Sequence, residues 1–148
     1  MIGPFIGEFA FLDNGYRCDV LFDKMVYPTV THAYQACKTV DRVERLNIKN
    51  RQTAQAAWQM GQAIKSTSVF RASRAQVMEM LLRVKFKHQS LRDRLVATAG
   101  SALVHVNSSD SWWGRIRQDG QLVGRDHLGS LLMKLRAEFM APKRNILV

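Results

Sequence analysis

The sequence predicts a mainly helical chain with a few short strands, folded as one domain over residues 1–148. Three observations carry that expectation. Apolar residues recur at helical spacing over most of the chain after Pro28. Short extended candidates are confined to the first 28 residues and to one central run. A chain of 148 residues that is 47% hydrophobic has the size and the apolar content to bury one core without disulfide staples.

The elements follow in order. "CDVLFDKMVYP" places two short apolar runs on either side of Asp23-Lys24, which reads as a hairpin. Thr29 or Thr31 is placed to cap a helix that runs to about Val40. A second helical region starts near Gln52, with Ala56, Ala57, Met60 and Ile64 near helical spacing. "SRAQVMEMLLRVKFKHQ" carries the strongest pattern. Ser73 and Gln76 suggest a capping box, and Val77, Met78, Leu81, Leu82 and Phe86 form the inward stripe. Ser90 and Asp93 repeat the capping signal for "SLRDRLVATA", and Gly100 is a stop signal. "ALVHV" reads as a short strand. "HLGSLLMKLRAEFM" is a last helix, with Leu128, Leu131, Leu132 and Leu135 facing inward and Asp126 available as its cap. The segment between, "NSSDSWWGRIRQDGQLVGRD", shows no apolar period and reads as a long loop of the kind that often carries function.

Composition narrows the function classes. No run of 18 apolar residues occurs, so no membrane partner is expected. "MIGPFIGEFAF" lacks the positively charged start and clear cleavage site of a secretion signal, and Cys18 and Cys37 have no metal-ligand spacing. Reduced thiols and a cytoplasmic location are expected. The formal charge of +10, from 22 Lys and Arg against 12 Asp and Glu, is spread along the chain. A field of that sign attracts phosphates on a nucleotide or on nucleic acid; a basic surface with no phosphate partner is the plainer alternative.

Familiar catalytic motifs are missing. The chain has no Gly-rich phosphate loop, GxGxxG, HExxH or GxSxG, and its four histidines lie in different elements, so no metal site is expected. Two groups of residues remain. In "DSWWGR", adjacent Trp112 and Trp113 cannot both point inward from a regular element. Either one of them walls a pocket and stacks on a ring, or both sit in the core under a loop. Gly114 lets the backbone pass close to a ligand, and Asp110 supplies a carboxylate beside the wall. In "YPTVTHAYQACK", His32, Gln35 and Lys38 lie roughly along one helix side, suited to phosphate, ribose hydroxyls or a base edge. The plainer reading is a structural histidine with a solvated lysine at the helix end.

In order, "GEFAFLDN", "YPTVTHAYQACK", "QVMEMLLRVKF", "LVHVNSSDSWWG" and "GRDHLGSLLMKLR" resemble the NADAR superfamily, which includes the YbiA-like N-glycosidases. The resemblance runs from about Phe5 to Glu138. It implies a mainly helical α+β domain, cleavage of an N-glycosidic bond on a phosphorylated ribose or ADP-ribose derivative, and no metal or organic cofactor. Family members act on phosphorylated riboflavin-pathway intermediates or remove ADP-ribose from guanine in nucleic acid. Such cleavage develops an oxocarbenium-like cation, which a carboxylate stabilises while a second polar group serves the leaving nitrogen.

The match also has departures. Asn14, Tyr27, Pro28, His32, Gln35, Lys38, Phe86, Asp110, Trp113, Gly114, Gly124 and Gly129 agree with the family pattern. Thr31 stands where the family usually has its prime catalytic glutamate. Phe70 replaces a tryptophan, His105 a glutamate and Asp126 an asparagine, and Asp13 and Gly15 replace the serine and phenylalanine around Asn14. The resemblance therefore implies a catalytic set drawn from Asp110, Thr31, His32 and Asp126. Asn14, Tyr27, Gln35, Lys38, Phe70, Trp112, Trp113 and Gly114 hold an ADP-ribose-like or phosphoribosyl substrate, with nucleic acid as a further partner. With threonine at position 31, a binding module without catalysis is the alternative.

Overall fold

The computed structural model describes residues 1–142. The fold is predominantly helical α+β, as the sequence predicts, and the described residues form two compact units. One comprises residues 6–88, the other residues 1–5 together with the chain from residue 89 onward.

The first unit begins with a 3-10 helix over Gly7–Leu12. A hairpin follows, of β1 (Val20–Phe22) and β2 (Met25–Tyr27), with Val20 opposite Tyr27 and Phe22 opposite Met25. The register leaves a two-residue turn, and Asp23 and Lys24 both take positive φ (45° and 65°), as the tight turn of a twisted hairpin demands. Arg45 pins that turn by pairing with the Asp23 carboxylate at 2.6 Å.

Four helices complete this unit. They are α1 (Val30–Ala36), α2 (Arg42–Lys49), α3 (Ala54–Gln62) and α4 (Ser68–Lys85). Helix α1 is the hub: it packs on both strands and on α2, α3 and α4. Its residues Val30 and His32 to Ala36 are all buried. His32 and Gln35, which the sequence places along one helix side, are both buried, and Thr31 is half-buried. Helix α1 also ends at Ala36, earlier than expected. Asp41 then starts α2 by accepting the N–H groups of Val43 and Glu44. Likewise α4 begins at Thr67, whose hydroxyl accepts Phe70 N–H, so Ser73 lies inside the helix and bonds back to the Val69 carbonyl instead of capping. Leu12, Val20, Val30, Ala33, Leu81 and Leu82 form the solvent-free centre of this unit.

The second unit packs α5 (Gln89–Val96) against α6 (His127–Met140), with Leu95, Leu103, Leu128, Leu132 and Leu135 fully buried. Helix α5 starts at Gln89, one residue before the expected cap Ser90. "ALVHV" makes isolated bridges, Leu103 to Ile2 and Val106 to Arg115, instead of a strand. The expected loop contains a second hairpin, β3 (Ile116–Gln118) and β4 (Gln121–Val123), turned by Asp119 and Gly120 at φ 51° and 78°. No described helix is long and apolar enough to cross a membrane.

Candidate active site

The residues marked by the sequence fall into two constellations, one in each unit. In the first unit the N-terminus of α1 is built around His32. Thr29 caps the helix, and its hydroxyl oxygen accepts His32 N–H at 3.1 Å. The imidazole Nε2 lies 2.9 Å from the Arg51 carbonyl, which only accepts, so Nε2 carries the proton. Nδ1 is then an acceptor, and the Thr29 hydroxyl donates to it at 2.6 Å. Burial pushes the His32 pKa down, opposed by the Arg51 bond and aided by the nearby Arg17 charge. A neutral imidazole with both nitrogens engaged joins α1 to the loop at Arg51. Both ring nitrogens thus have partners within the protein.

Thr31 and Asn14 come together. The Asn14 carbonyl accepts Thr31 N–H at 3.0 Å. The Asn14 amide donates weakly to the Met78 sulfur at 3.6 Å, while its Oδ1 is buried with no hydrogen-bond partner among the described residues. An orphaned buried acceptor is uncommon and suits a donor from a ligand or a water. Thr31 is half-buried at the second position of α1, where the first-turn N–H groups favour negative charge.

Lys85 supports this segment, and the sequence reading missed it. Its side chain is fully buried, and its Nζ donates to the Asp13 carbonyl at 2.9 Å. It lies 5.8 Å from the Tyr16 ring centre and 5.5 Å from that of Phe86. Burial lowers its pKa to about 8, against the opposing pull of Cys18 and Asp13. A lysine at the end of an amphipathic helix normally reaches solvent, so the sequence held no signal for this burial.

The remaining residues of this unit are wall and packing groups. Tyr27 is fully buried, its hydroxyl lacks a hydrogen-bond partner among the described residues, and burial raises its pKa. Gln35 lies against Gly61, where any Cβ would collide with the amide, and its Oε1 also lacks a partner. Lys38 sits beyond the end of α1 and reaches the Gly61 carbonyl at 3.4 Å, with its pKa lowered by burial. Phe70 is buried against Tyr34, their ring centres 5.4 Å apart. Cys18 and Cys37 are free, half-buried thiols, and burial pushes Cys37 up to about 12.

In the second unit, Asp110 organises the tryptophan turn. Its Oδ1 accepts Trp112 N–H at 2.9 Å and Trp113 N–H at 2.8 Å. Asn107 supports it in turn by accepting the N–H groups of Ser109 and Asp110. Asp110 Oδ2 accepts no bond from a described donor. The two indoles meet edge to face at 4.5 Å, and Trp112 lies over the His127 ring at 4.0 Å. Both indoles are half-buried, neither core nor free surface.

Asp126 is a structural cap. Its Oδ1 accepts N–H from Gly129 and from His105, both at 3.1 Å, and the residue is 3% exposed. It takes the left-handed conformation, φ 50° and ψ 53°. Burial raises its pKa, while the His105 and Gly129 bonds lower it. The carboxyl caps the start of α6. Gly114 serves packing as well: a Cβ there would strike the His105 carbonyl, the partner of Arg115 N–H at 2.8 Å. His105 stacks on Phe5 at 5.6 Å, and its Nδ1 has no hydrogen-bond partner among the described residues. Among the described residues no three His, Cys, Asp or Glu side chains converge to hold a metal.

Comparison with known proteins agrees with this framework. The NADAR domain model matches residues 5–140. The chain is 34% identical to the N-glycosidase YbiA of Escherichia coli over 140 residues, covering 93% of this chain and 84% of that protein. The maize chloroplastic riboflavin biosynthesis protein PYRR is 32% identical over 133 residues, which cover 80% of this chain and 20% of PYRR. The NMR structure of E. coli YbiA superimposes with a TM-score of 0.78 at 30% identity, covering 93% of this chain and 82% of that one. The helical α+β fold, the ordered motifs and these matches together establish that the chain belongs to the NADAR domain family, alongside proteins named N-glycosidases.

Proposed function

We propose that this protein is a hydrolase that cleaves the N-glycosidic bond of a phosphorylated ribose or ADP-ribose derivative, with Asp110 as the working carboxylate. Substrates of this class include phosphorylated riboflavin-pathway intermediates and ADP-ribosylated guanine. The observation that carries the reading is the state of Asp110. One carboxylate oxygen accepts two tryptophan N–H groups, the other accepts no bond from a described donor, and both tryptophans are half-buried. A carboxylate fixed in this way is oriented before substrate arrives.

The reaction breaks the bond between the anomeric carbon and the base nitrogen. The bonding pair leaves with the base, and the sugar becomes cationic. Asp110 stabilises that cation and orients the water whose oxygen forms the new C–O bond. One proton of the water ends on the released base. The indoles offer stacking surface to the base, and the basic surface favours the substrate phosphates.

A second reading rests on Thr31. A threonine at the family's glutamate position supplies no negative charge, and His32, with both nitrogens engaged, does not replace it. On that reading the chain binds an ADP-ribose-like nucleotide without turning it over. Incubation with ADP-ribosylated guanosine and with a phosphorylated riboflavin-pathway intermediate, read by chromatography, separates the two. Released base or ADP-ribose supports the hydrolase. Binding without release selects the module.

A further inference from the structure

Asn14 and Gly15 form the one Asn-Gly pair in the chain. Both neighbours of Asn14 depart from the family pattern, and the two departures meet at one backbone nitrogen. The Asp13 carboxylate accepts the Gly15 N–H at 2.8 Å through Oδ2. A Cβ at position 15 would lie 2.9 Å from that oxygen, so a side chain there would push the carboxylate off the nitrogen. The Asn14 side chain is held only weakly. Its amide donates to the Met78 sulfur at 3.6 Å, and its Oδ1 has no partner among the described residues. Asn107 is the contrast: its Oδ1 accepts the N–H groups of Ser109 and Asp110, its amide meets the His105 ring, and a serine follows it. Residues 13 to 15 are half-buried, so water reaches the turn.

We infer that Asn14 is a self-modifying site, which deamidates through a cyclic imide with Gly15 while the Asp13 carboxylate takes the proton. The Gly15 nitrogen gives its proton to Asp13 Oδ2 and forms a bond to Asn14 Cγ. The bond from Cγ to the side-chain nitrogen breaks, and ammonia leaves with that proton. Water then opens the imide at either carbonyl, leaving aspartate or isoaspartate. Both products carry a carboxylate at position 14, on the residue whose carbonyl holds the Thr31 N–H. A negative charge is absent from position 31 and is supplied by its hydrogen-bonded neighbour. The Lys85 ammonium, bound to the Asp13 carbonyl, offers that charge a fixed cation one residue away. The consequence for turnover rests on the hydrolase reading, in which a carboxylate stabilises the cationic sugar.

Freshly purified protein kept for several days at neutral pH in heavy-oxygen water, then mapped by peptide mass spectrometry, tests the site. The peptide holding residue 14 should take up heavy oxygen and show the acid mass, with isoaspartate among the products, while Asn107 stays an amide. Asp13→Asn keeps an oxygen for the Gly15 N–H but removes the proton acceptor, so conversion should slow at least about tenfold. Conversion at Asn14 no faster than at Asn107 overturns the inference, as does an unchanged rate in folded Asp13→Asn. On a glycosidic substrate, Asn14→Asp should release the nucleobase at least about tenfold faster than fresh native protein. Equal release by the two would overturn the role in turnover. Conversion with no release from any form would fail the hydrolase reading and leave the modification standing.

Discussion

The Lys85 ammonium donates to the Asp13 carbonyl at 2.9 Å from a fully buried position. That bond fixes the residue before Asn14, whose own carbonyl holds the N–H of Thr31. One buried cation thus sets the backbone that meets the start of α1. Its pKa of about 8 lies below the ordinary 10.5, so the folded state gives up this proton before the unfolded state does. Holding the charge costs stability below pH 8, and that cost is relieved as the pH rises from about 8 towards 10.5. Relative to Lys85→Met, the native protein should gain about 2 kcal/mol between pH 7 and pH 9.5. Urea unfolding of both proteins at the two pH values reads the difference; parallel behaviour would show that Lys85 titrates normally.

His32 has a dependence of the same sign in a lower pH window. Its folded pKa lies below the ordinary 6.5, so its stabilising role is complete above pH 6.5 and is lost as the pH falls through the folded value. His32→Leu leaves the Arg51 carbonyl without its donor and should cost about 2 kcal/mol at pH 7. The variant should also lose less stability than the native protein between pH 7 and pH 5. Thermal melts across that range measure both effects. A variant of native stability would mean that the clamp contributes nothing.

Much of this framework was legible in the sequence, and the failures have physical causes. The first hairpin was visible because apolar triplets flank Asp23-Lys24. The second was not, although Asp119-Gly120 is an equally strong turn signal, because Arg117, Gln118 and Gln121 are exposed and no alternating pattern marks the strands. Helix α2 escaped for a related reason: its apolar Val43 and Leu46 face solvent, and only Ile48 and the stem of Arg45 enter the core. In the candidate site, sequence singled out Asp110 and Asn14. It could not tell a free histidine from a clamped one, because the partner of His32 is a carbonyl 19 positions away. Nor could it show that the Asp126 carboxyl also bonds His105, 21 positions back in the chain.

Asp126 should behave as a cap. Asp126→Asn keeps an oxygen for the His105 and Gly129 N–H groups and should cost under about 1 kcal/mol. Asp126→Ala abandons two buried donors and should cost about 2–3 kcal/mol. Turnover per folded molecule should be unchanged in the asparagine variant. A large loss of turnover at native stability would return Asp126 to the chemistry.

Thr31→Glu restores the carboxylate that the family usually carries. The second position of a helix accepts an acid readily, so folding should be little affected. Turnover on the glycosidic substrate should rise, by about tenfold for each ~1.4 kcal/mol of added cation stabilisation. A folded variant with no gain would show that position 31 does not meet the reacting carbon.

On the proposed reading Asp110 carries the cleavage, and turnover by Asp110→Asn tests this most directly. The substitution keeps Oδ1 as the acceptor for the Trp112 and Trp113 N–H groups, so the turn survives while the charge is lost. Base release measured by chromatography, with melting temperature as the control, should fall at least about a hundredfold with no change in melting. Full release by the folded asparagine variant would contradict the account.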